Sequence, residues 1–137
     1  MNWLLDTGPL VAYLDASDRQ HAAIAPTLDA FRGQLVTTGA VITEAMFLLA
    51  DTPNGPRSLA DFIGSSDTLV YDLAQPPELE AAASLMERYN DTPMDYADAT
   101  LVLLADALRL NTVLTLDRRG FTTYRTASRK AFKLALG

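Results

Sequence analysis

The stretch that decides the fold is MDYADATLVLLADALRLNTVLTLD, residues 94–117. Its first part places apolar residues at helical spacing, and together with the preceding Thr-Pro it predicts a helix over 93–110. The short apolar run 111–115 that follows is typical of a buried strand. Asp117 follows this strand as the first residue of a predicted turn, DRRG. A helix that leads directly into a buried strand is a building unit of parallel sheets.

The same alternation extends outward from this stretch over the whole chain. At the start, the apolar run Trp3–Leu5 is stopped by Asp6, and Pro9 stands at a favourable first helical position. Such alternation predicts an α/β fold, a mostly parallel sheet of four or five short strands flanked by helices. No linker or repeat divides residues 1–137, so we expect a single domain. The strands are predicted at 3–5, 35–36, 68–72, 111–115 and 131–136.

Composition narrows the class of protein further. Of 137 residues, 49% are apolar and 20% are charged, which is typical of one globular domain. The absence of cysteine and the single histidine exclude disulfide scaffolds, thiol nucleophiles and His-rich metal sites. The longest uncharged run has eleven residues, and the first residues lack the basic segment of a signal peptide. We therefore expect a cytoplasmic protein with no membrane partner.

Charge is distributed unevenly along the chain. Residues 1–117 contain all 17 acidic residues and five basic ones, a net charge of −12, whereas residues 118–137 contain six basic residues and no acid. This basic segment is either a solvated surface or a rim that holds phosphates beside an acidic pocket. The net charge of the whole chain, −6, argues against strong and indiscriminate binding of nucleic acid.

Four carboxylates stand where the predicted fold would place a site. Asp6 and Asp117 directly follow the first and fourth strands, and ligands of such sheets bind at the carboxyl ends of the strands. Glu44 lies in the mostly apolar helix 40–50, which we expect to be buried nearly all round. Asp98 lies on the apolar face of the helix that precedes the fourth strand. We expect these four acids to lie close together.

A divalent cation would stabilise such a cluster. Two carboxylates about 4 Å apart repel by roughly 4 kcal/mol at an effective dielectric constant near 20, and burial adds to this cost. The acidic part of the chain has too few basic residues to neutralise them. Oxygen ligands without histidine or cysteine favour Mg²⁺ or Mn²⁺. The predicted metal ligands and catalytic residues are Asp6, Glu44, Asp98 and Asp117.

Each acid also has a purely structural interpretation. Asp6 and Asp117 are suited to capping a turn or a helix, and the side chain of Glu44 can extend to the surface. Asp95 stands three residues after Thr92, the spacing of a capping box, so we interpret it mainly as a capping residue with an auxiliary role near the metal. The residue pattern leaves these alternatives open.

Three segments of the chain resemble one known family. They are LLDTGPLVAYLD from residue 4, TEAMFLL from residue 43 and MDYADATLVLLADALRLNTVLTLDRRGF from residue 94. In this order they resemble a PIN-domain ribonuclease, more narrowly the VapC-type toxin of a VapBC toxin–antitoxin pair. The resemblance covers nearly the whole chain, and the acidic site of the family maps onto the four predicted ligands. The family often has a further acid where this chain has Gly120.

The resemblance implies an endoribonuclease that depends on Mg²⁺ or Mn²⁺ and cleaves single-stranded regions of RNA. It also implies an antitoxin partner that inserts an arginine into the acidic pocket. Arg118 and Arg119 are candidates for holding the RNA backbone. In addition, the apolar residues 46–49 in succession exceed what one side of a small core covers, so we expect a homodimer.

Two alternatives differ in class from this interpretation. Residues 4–8, LLDTG, also resemble the start of a retroviral-type aspartic protease site, but the long helical patterns contradict the all-β fold of that enzyme. A catalytically silent PIN-like module that binds protein or RNA is the second alternative. Four inward-facing acids argue against it, because nothing obliges a binding module to keep them.

Overall fold

The computed structural model describes residues 1–136 and contains a five-stranded sheet. Its strands are β1 (Asn2–Leu5), β2 (Gln34–Thr38), β3 (Leu69–Tyr71), β4 (Thr112–Leu114) and β5 (Lys133–Leu134). They stand in the order β3-β2-β1-β4-β5, and every neighbouring pair is parallel. The predicted α/β class, the parallel sheet and the fifth strand are confirmed.

Helices cover this sheet on both faces. Those within residues 1–136 are α1 (Thr7–Leu14), α2 (His21–Ala30), α3 (Gly39–Leu48), α4 (Gly55–Ser65), α5 (Pro76–Arg88), α6 (Tyr96–Leu108) and α7 (Arg118–Thr123). Helix α1 packs against α2 and α3, and α6 packs against α3 and α5. None of these helices is long and apolar enough to cross a membrane.

The register of the two central strands positions the site. Leu4 pairs with Val113 and Leu5 with Leu114, and all four side chains are fully buried because helices cover both faces of the sheet. The backbone N–H of Asp6 extends this ladder by donating to the carbonyl of Leu114 at 3.1 Å. Both strands therefore end at the same edge of the sheet, and the residues that follow them meet there.

The long helix before β4 begins three residues later than predicted. Asp95, not Thr92, is the N-cap of α6, so the prediction of a helix from residue 93 was wrong at its start. Tertiary contacts hold the preceding segment outside the helix. The carbonyl of Pro93 accepts a hydrogen bond from the Tyr124 hydroxyl at 2.9 Å, and the side chain of Met94 is buried in the core.

Two other local predictions were wrong. Helix α3 is not buried all round, because only one of its faces packs against α1 and α6: Val41 and Ala45 are buried, whereas Phe47 is 80% exposed and Leu48 is 53% exposed. The predicted turn at 117–120 is the first turn of the short helix α7. Its N–H groups need an acceptor, and the carboxylate of the residue before it supplies one.

Candidate active site

An acidic cleft of about 370 Å³ lies at the carboxyl edge of the sheet. It is formed where β1 and β4 end, beside α3 and the start of α6. The structure brings all four predicted ligands, and the auxiliary acid, into this one cleft. Its acidic lining residues are Asp6, Glu44, Asp95, Asp98 and Asp117.

Asp6 is the most deeply buried of these acids, with 7% of its surface exposed. One carboxylate oxygen accepts the backbone N–H of Thr7 at 2.8 Å, and the other accepts the hydroxyl of Thr115 at 2.6 Å. Burial raises the pKa of the Asp6 carboxyl to about 6 although both hydrogen bonds act to lower it, and the charges of Asp95 and Glu44 raise it further. The fold therefore holds Asp6 rigidly and at an energetic cost.

Asp95 and Asp98 form a reciprocal capping box at the start of α6. The Asp95 carboxylate accepts the N–H of Asp98 at 2.8 Å, and the Asp98 carboxylate accepts the N–H of Asp95 at 3.1 Å. Asp95 is exposed and Asp98 is half-buried. Burial, followed by the charges of Asp6 and Asp95, raises the pKa of Asp98 to about 8. Of these two residues, only Asp95 was predicted to cap a helix, whereas the structure gives a capping role to both.

Asp117 is held at the cleft by the backbone around it. Its carboxylate caps α7 by accepting the N–H of Gly120 at 3.0 Å, and its own N–H donates to the hydroxyl of Thr115 at 2.9 Å. The Thr115 hydroxyl thus links Asp6 to Asp117. A Cβ at position 120 would collide with the Asp117 carboxylate, so glycine at this position lets that carboxylate turn back onto the helix.

Glu44 reaches the cleft from α3. It is half-buried, and Leu48, one turn further along the helix, is exposed at the same cleft. The stripe that contains Glu44 therefore faces the cleft rather than the apolar core, which differs from the expectation of an inward face. Helices α1, α4 and α6 and strand β2 pack against other parts of α3 and leave this side open to the cleft.

Tyr124 is a residue of the site region that the sequence pattern did not single out. It is fully buried, and its ring meets Phe121 edge-on with centroids 5.2 Å apart. Burial and the nearby carboxylates of Asp98 and Asp117 raise its pKa above the ordinary value. Its hydroxyl fixes the segment before α6 and thereby the position of the capping box. The spacing of Phe121 and Tyr124, one helical turn, is the signal that could have found it.

The donor set of the cleft fits a hard divalent cation in its chemistry. All its charged side chains are carboxylates, and burial together with mutual repulsion raises the pKa of two of them. Within residues 1–136, no three acidic or histidine side chains are already arranged as a metal site. A cation at this cleft would be held by carboxylate oxygens, of which those of Asp117 are exposed and those of Glu44 half-buried.

The stability of the metal-free protein is expected to fall as the pH rises from about 4 to about 8. Asp6 and Asp98 have pKa values of about 6 and about 8 in the folded state, above the ordinary value of 3.8, so the folded chain binds more protons than the unfolded chain between these pH values. Chemical denaturation in excess EDTA at pH 5, 6.5 and 8 measures this. The Asp98→Asn variant should lose less stability above pH 6; stability that rises over this interval would contradict the assignment.

Comparison with known proteins identifies the class that this fold and cleft define. The profile of the PIN domain matches residues 3–126. The chain belongs to the PIN-domain family, as the resemblance predicted.

Individual relatives place it more narrowly. The chain is 35% identical over 127 residues to ribonuclease VapC26 of Mycobacterium tuberculosis, an alignment that covers 89% of this chain and 91% of that protein. Its fold is similar to the crystal structure of VapC20 of the same organism, described as a sarcin-ricin loop cleaving toxin, with a TM-score of 0.76 at 18% identity. That match covers 86% of this chain and 91% of the other. The predicted relation to the VapC-type ribonuclease toxins is confirmed.

Proposed function

We propose that this chain is the toxin of a toxin–antitoxin pair and acts as an endoribonuclease that requires Mg²⁺ or Mn²⁺. The observation that carries the proposal is the convergence of five carboxylates on one cleft of a PIN domain. A ribonuclease is also the named activity of a relative that aligns with nearly the whole chain. Its place of action would be the cytoplasm, where RNA and an antitoxin are available.

The proposed ligands of the cation are Asp6, Glu44, Asp98 and Asp117. When bound, a divalent cation makes water a stronger nucleophile at neutral pH and offsets the negative charge that develops on the leaving oxygen. Asp6 is fixed by two hydrogen bonds, so it presents the same carboxylate geometry to every substrate. One of the four carboxylates accepts the proton of the attacking water. Asp95 supports this set by positioning Asp98 through the capping box.

Arg118 and Arg119 are the proposed contacts to the RNA backbone nearest the cleft. Both are exposed at the start of α7, directly after Asp117. A guanidinium group binds phosphate oxygens through two parallel hydrogen bonds, which suits a substrate whose backbone must lie beside an acidic site. Their position would place a phosphate next to the carboxylates without any contact to a base.

The experiment that tests this function is cleavage of a single-stranded RNA by metal-free protein to which Mg²⁺ or Mn²⁺ is returned. Cleavage is expected with either ion and not in excess EDTA, because the cleft offers only carboxylates to activate water. Full cleavage by protein shown to be metal-free would contradict the proposed mechanism. Binding of RNA with no uptake of Mg²⁺ in calorimetry, and no cleavage, would favour the alternative of a silent binding module.

The exposed apolar residues of α3, Phe47 and Leu48, are proposed as a contact surface for the antitoxin and for a second copy of the chain. An antitoxin arginine would pair with the carboxylates of the adjacent cleft in place of the metal.

We expect a homodimer at tens of micromolar in light scattering, and a monomer for Phe47→Glu. The control is Leu79→Glu, which also changes an exposed leucine but lies on α5. If the wild type is a monomer, self-association is contradicted, and the antitoxin remains as the proposed partner of this surface.

A further inference from the structure

A second concavity, of about 530 Å³, lies at the opposite end of α6 from the acidic cleft. It opens where α6 ends and where the loop 126–130 folds back against it, and Arg109 and Lys130 are among its lining residues. Eleven helical positions separate Asp98 from Arg109, which corresponds to roughly 16 Å at about 1.5 Å per residue. The concavity is therefore separate from the cleft but within reach of the same RNA molecule.

The loop 126–130, on one side of this concavity, is held in place by hydrogen bonds. Both carboxylate oxygens of Asp106 lie 2.8 Å from the N–H of Ala127, and the Thr126 hydroxyl accepts the N–H of Lys130 at 3.0 Å. The N–H of Arg129 donates to the carbonyl of Thr126 at 2.8 Å. Asp106 is the acidic residue of the lining, and its carboxylate is engaged by the backbone. Among the described residues, it forms no ion pair with the basic side chains nearby.

Three basic residues at this end of the molecule, Arg109, Arg129 and Lys130, form what we call the distal basic surface. All three are exposed. Within the part of the chain that the structure describes, none of them pairs with a carboxylate. Arg125 differs from them, because its guanidinium donates to three backbone carbonyls at the C-terminal end of α7. Among the described residues, the charges of the distal basic surface thus form no ion pair that would stabilise the fold.

Two residues of this surface also have an unfavourable backbone conformation. Among residues 1–136, four residues other than glycine have a positive φ: Asn54, Asp67, Arg109 at 54° and Arg129 at 65°. Asparagine and aspartate tolerate this left-handed region, whereas it is costly for arginine, and glycine or asparagine is the usual residue at a helix end of this kind. Both positions that carry this cost belong to the distal basic surface. The backbone conformation therefore does not explain why arginine occurs at these two positions.

We propose that the distal basic surface binds backbone phosphates of the RNA substrate several nucleotides away from the cleaved bond. The inference rests on the proposed ribonuclease function. An acidic cleft repels a polyanion, so the attraction that brings RNA to a chain of net charge −6 must come from basic residues elsewhere. Contacts to phosphates supply this attraction without sequence specificity.

The test compares two double variants that change the net charge by the same amount. Arg109→Asn/Arg129→Asn removes two charges from the distal basic surface, and Arg19→Gln/Arg57→Gln removes two exposed charges from other parts of the chain. Each is combined with Asp98→Asn to prevent cleavage, and binding of an RNA hairpin with a single-stranded loop is measured at several salt concentrations. Loss of two phosphate contacts should reduce the slope of log K against log [salt] by about 1.4 to 1.8. The control should retain the slope of Asp98→Asn alone.

Two further measurements separate binding from a structural role. With Asp98 intact, Arg109→Asn/Arg129→Asn should cleave an RNA too short to reach the distal basic surface as fast as the wild type does. Its melting temperature should equal or exceed that of the wild type, because asparagine tolerates the left-handed conformation. An unchanged salt slope, an equal reduction of the slope in the control, or a lower melting temperature would overturn the inference. The proposed function would still stand in these cases, provided that the wild type cleaves RNA. If the wild type neither binds nor cleaves RNA, both fail.

Discussion

Asp98→Asn is expected to reduce RNA cleavage by more than about 100-fold, because even groups that only support metal ligands contribute about 10- to 100-fold. The substitution removes a charge from the half-buried wall of the cleft and leaves the shape of the side chain unchanged. It also preserves the helix start, since the amide oxygen can still accept the N–H of Asp95. The loss would therefore report on metal binding and catalysis rather than on folding.

The matched control is Asp95→Asn, at the other end of the same capping box. Asparagine is as good an N-cap as aspartate, and Asp95 is exposed, so this variant should stay folded and keep measurable activity. Initial rates with saturating Mg²⁺, together with circular dichroism of both variants, make the comparison. Equal and complete loss in two folded variants would add Asp95 to the metal ligands.

Mg²⁺ is expected to raise the melting temperature of the wild type, and Asp6→Asn is expected to stabilise the metal-free protein. A cation that binds only the native state at ten times its Kd adds about 1.4 kcal/mol, which corresponds to about 4 °C for a domain of this size. Asp6→Asn removes a buried charge that burial and its neighbours penalise. The gain of the variant should be larger at pH 8 than at pH 5, because the pKa of Asp6 lies at about 6 and its carboxyl is charged only above that value.

Thermal melting of both proteins in EDTA and in millimolar Mg²⁺ measures these effects. The variant should show a smaller shift with Mg²⁺ than the wild type, because it lacks one ligand. Asp61→Asn removes the same charge from an exposed position on α4 and should behave as the wild type does. If the wild type shows no shift with Mg²⁺ and metal-free Asp6→Asn melts lower, the carboxylates do not share a cation and the proposed site is wrong.

The sequence by itself determined the order of strands and helices, the parallel sheet and the edge of that sheet at which the site lies. The period of the apolar residues predicts strands and helices in alternation, and alternation of short strands with helices permits few arrangements other than a parallel sheet. In such a sheet, the carboxyl ends of β1 and β4 lie at the same edge, whatever the conformation of the loops. The placement of Asp6 and Asp117 together was therefore predictable from their positions after two strands. The two arginines after Asp117 had a predictable place for the same reason.

Only the tertiary structure decided how the carboxylates are held and which surfaces stay open. The sequence predicted a helix start at Thr92. The Tyr124 hydroxyl, which donates to the carbonyl of Pro93, and the burial of Met94 keep this segment outside the helix, which begins after Asp95. The composition of α3 suggested complete burial, but the elements packed against it leave one side uncovered, and Phe47 is exposed there. Local patterns depend on neighbours in sequence, whereas helix starts, exposure and pKa depend on groups that the fold brings from elsewhere in the chain.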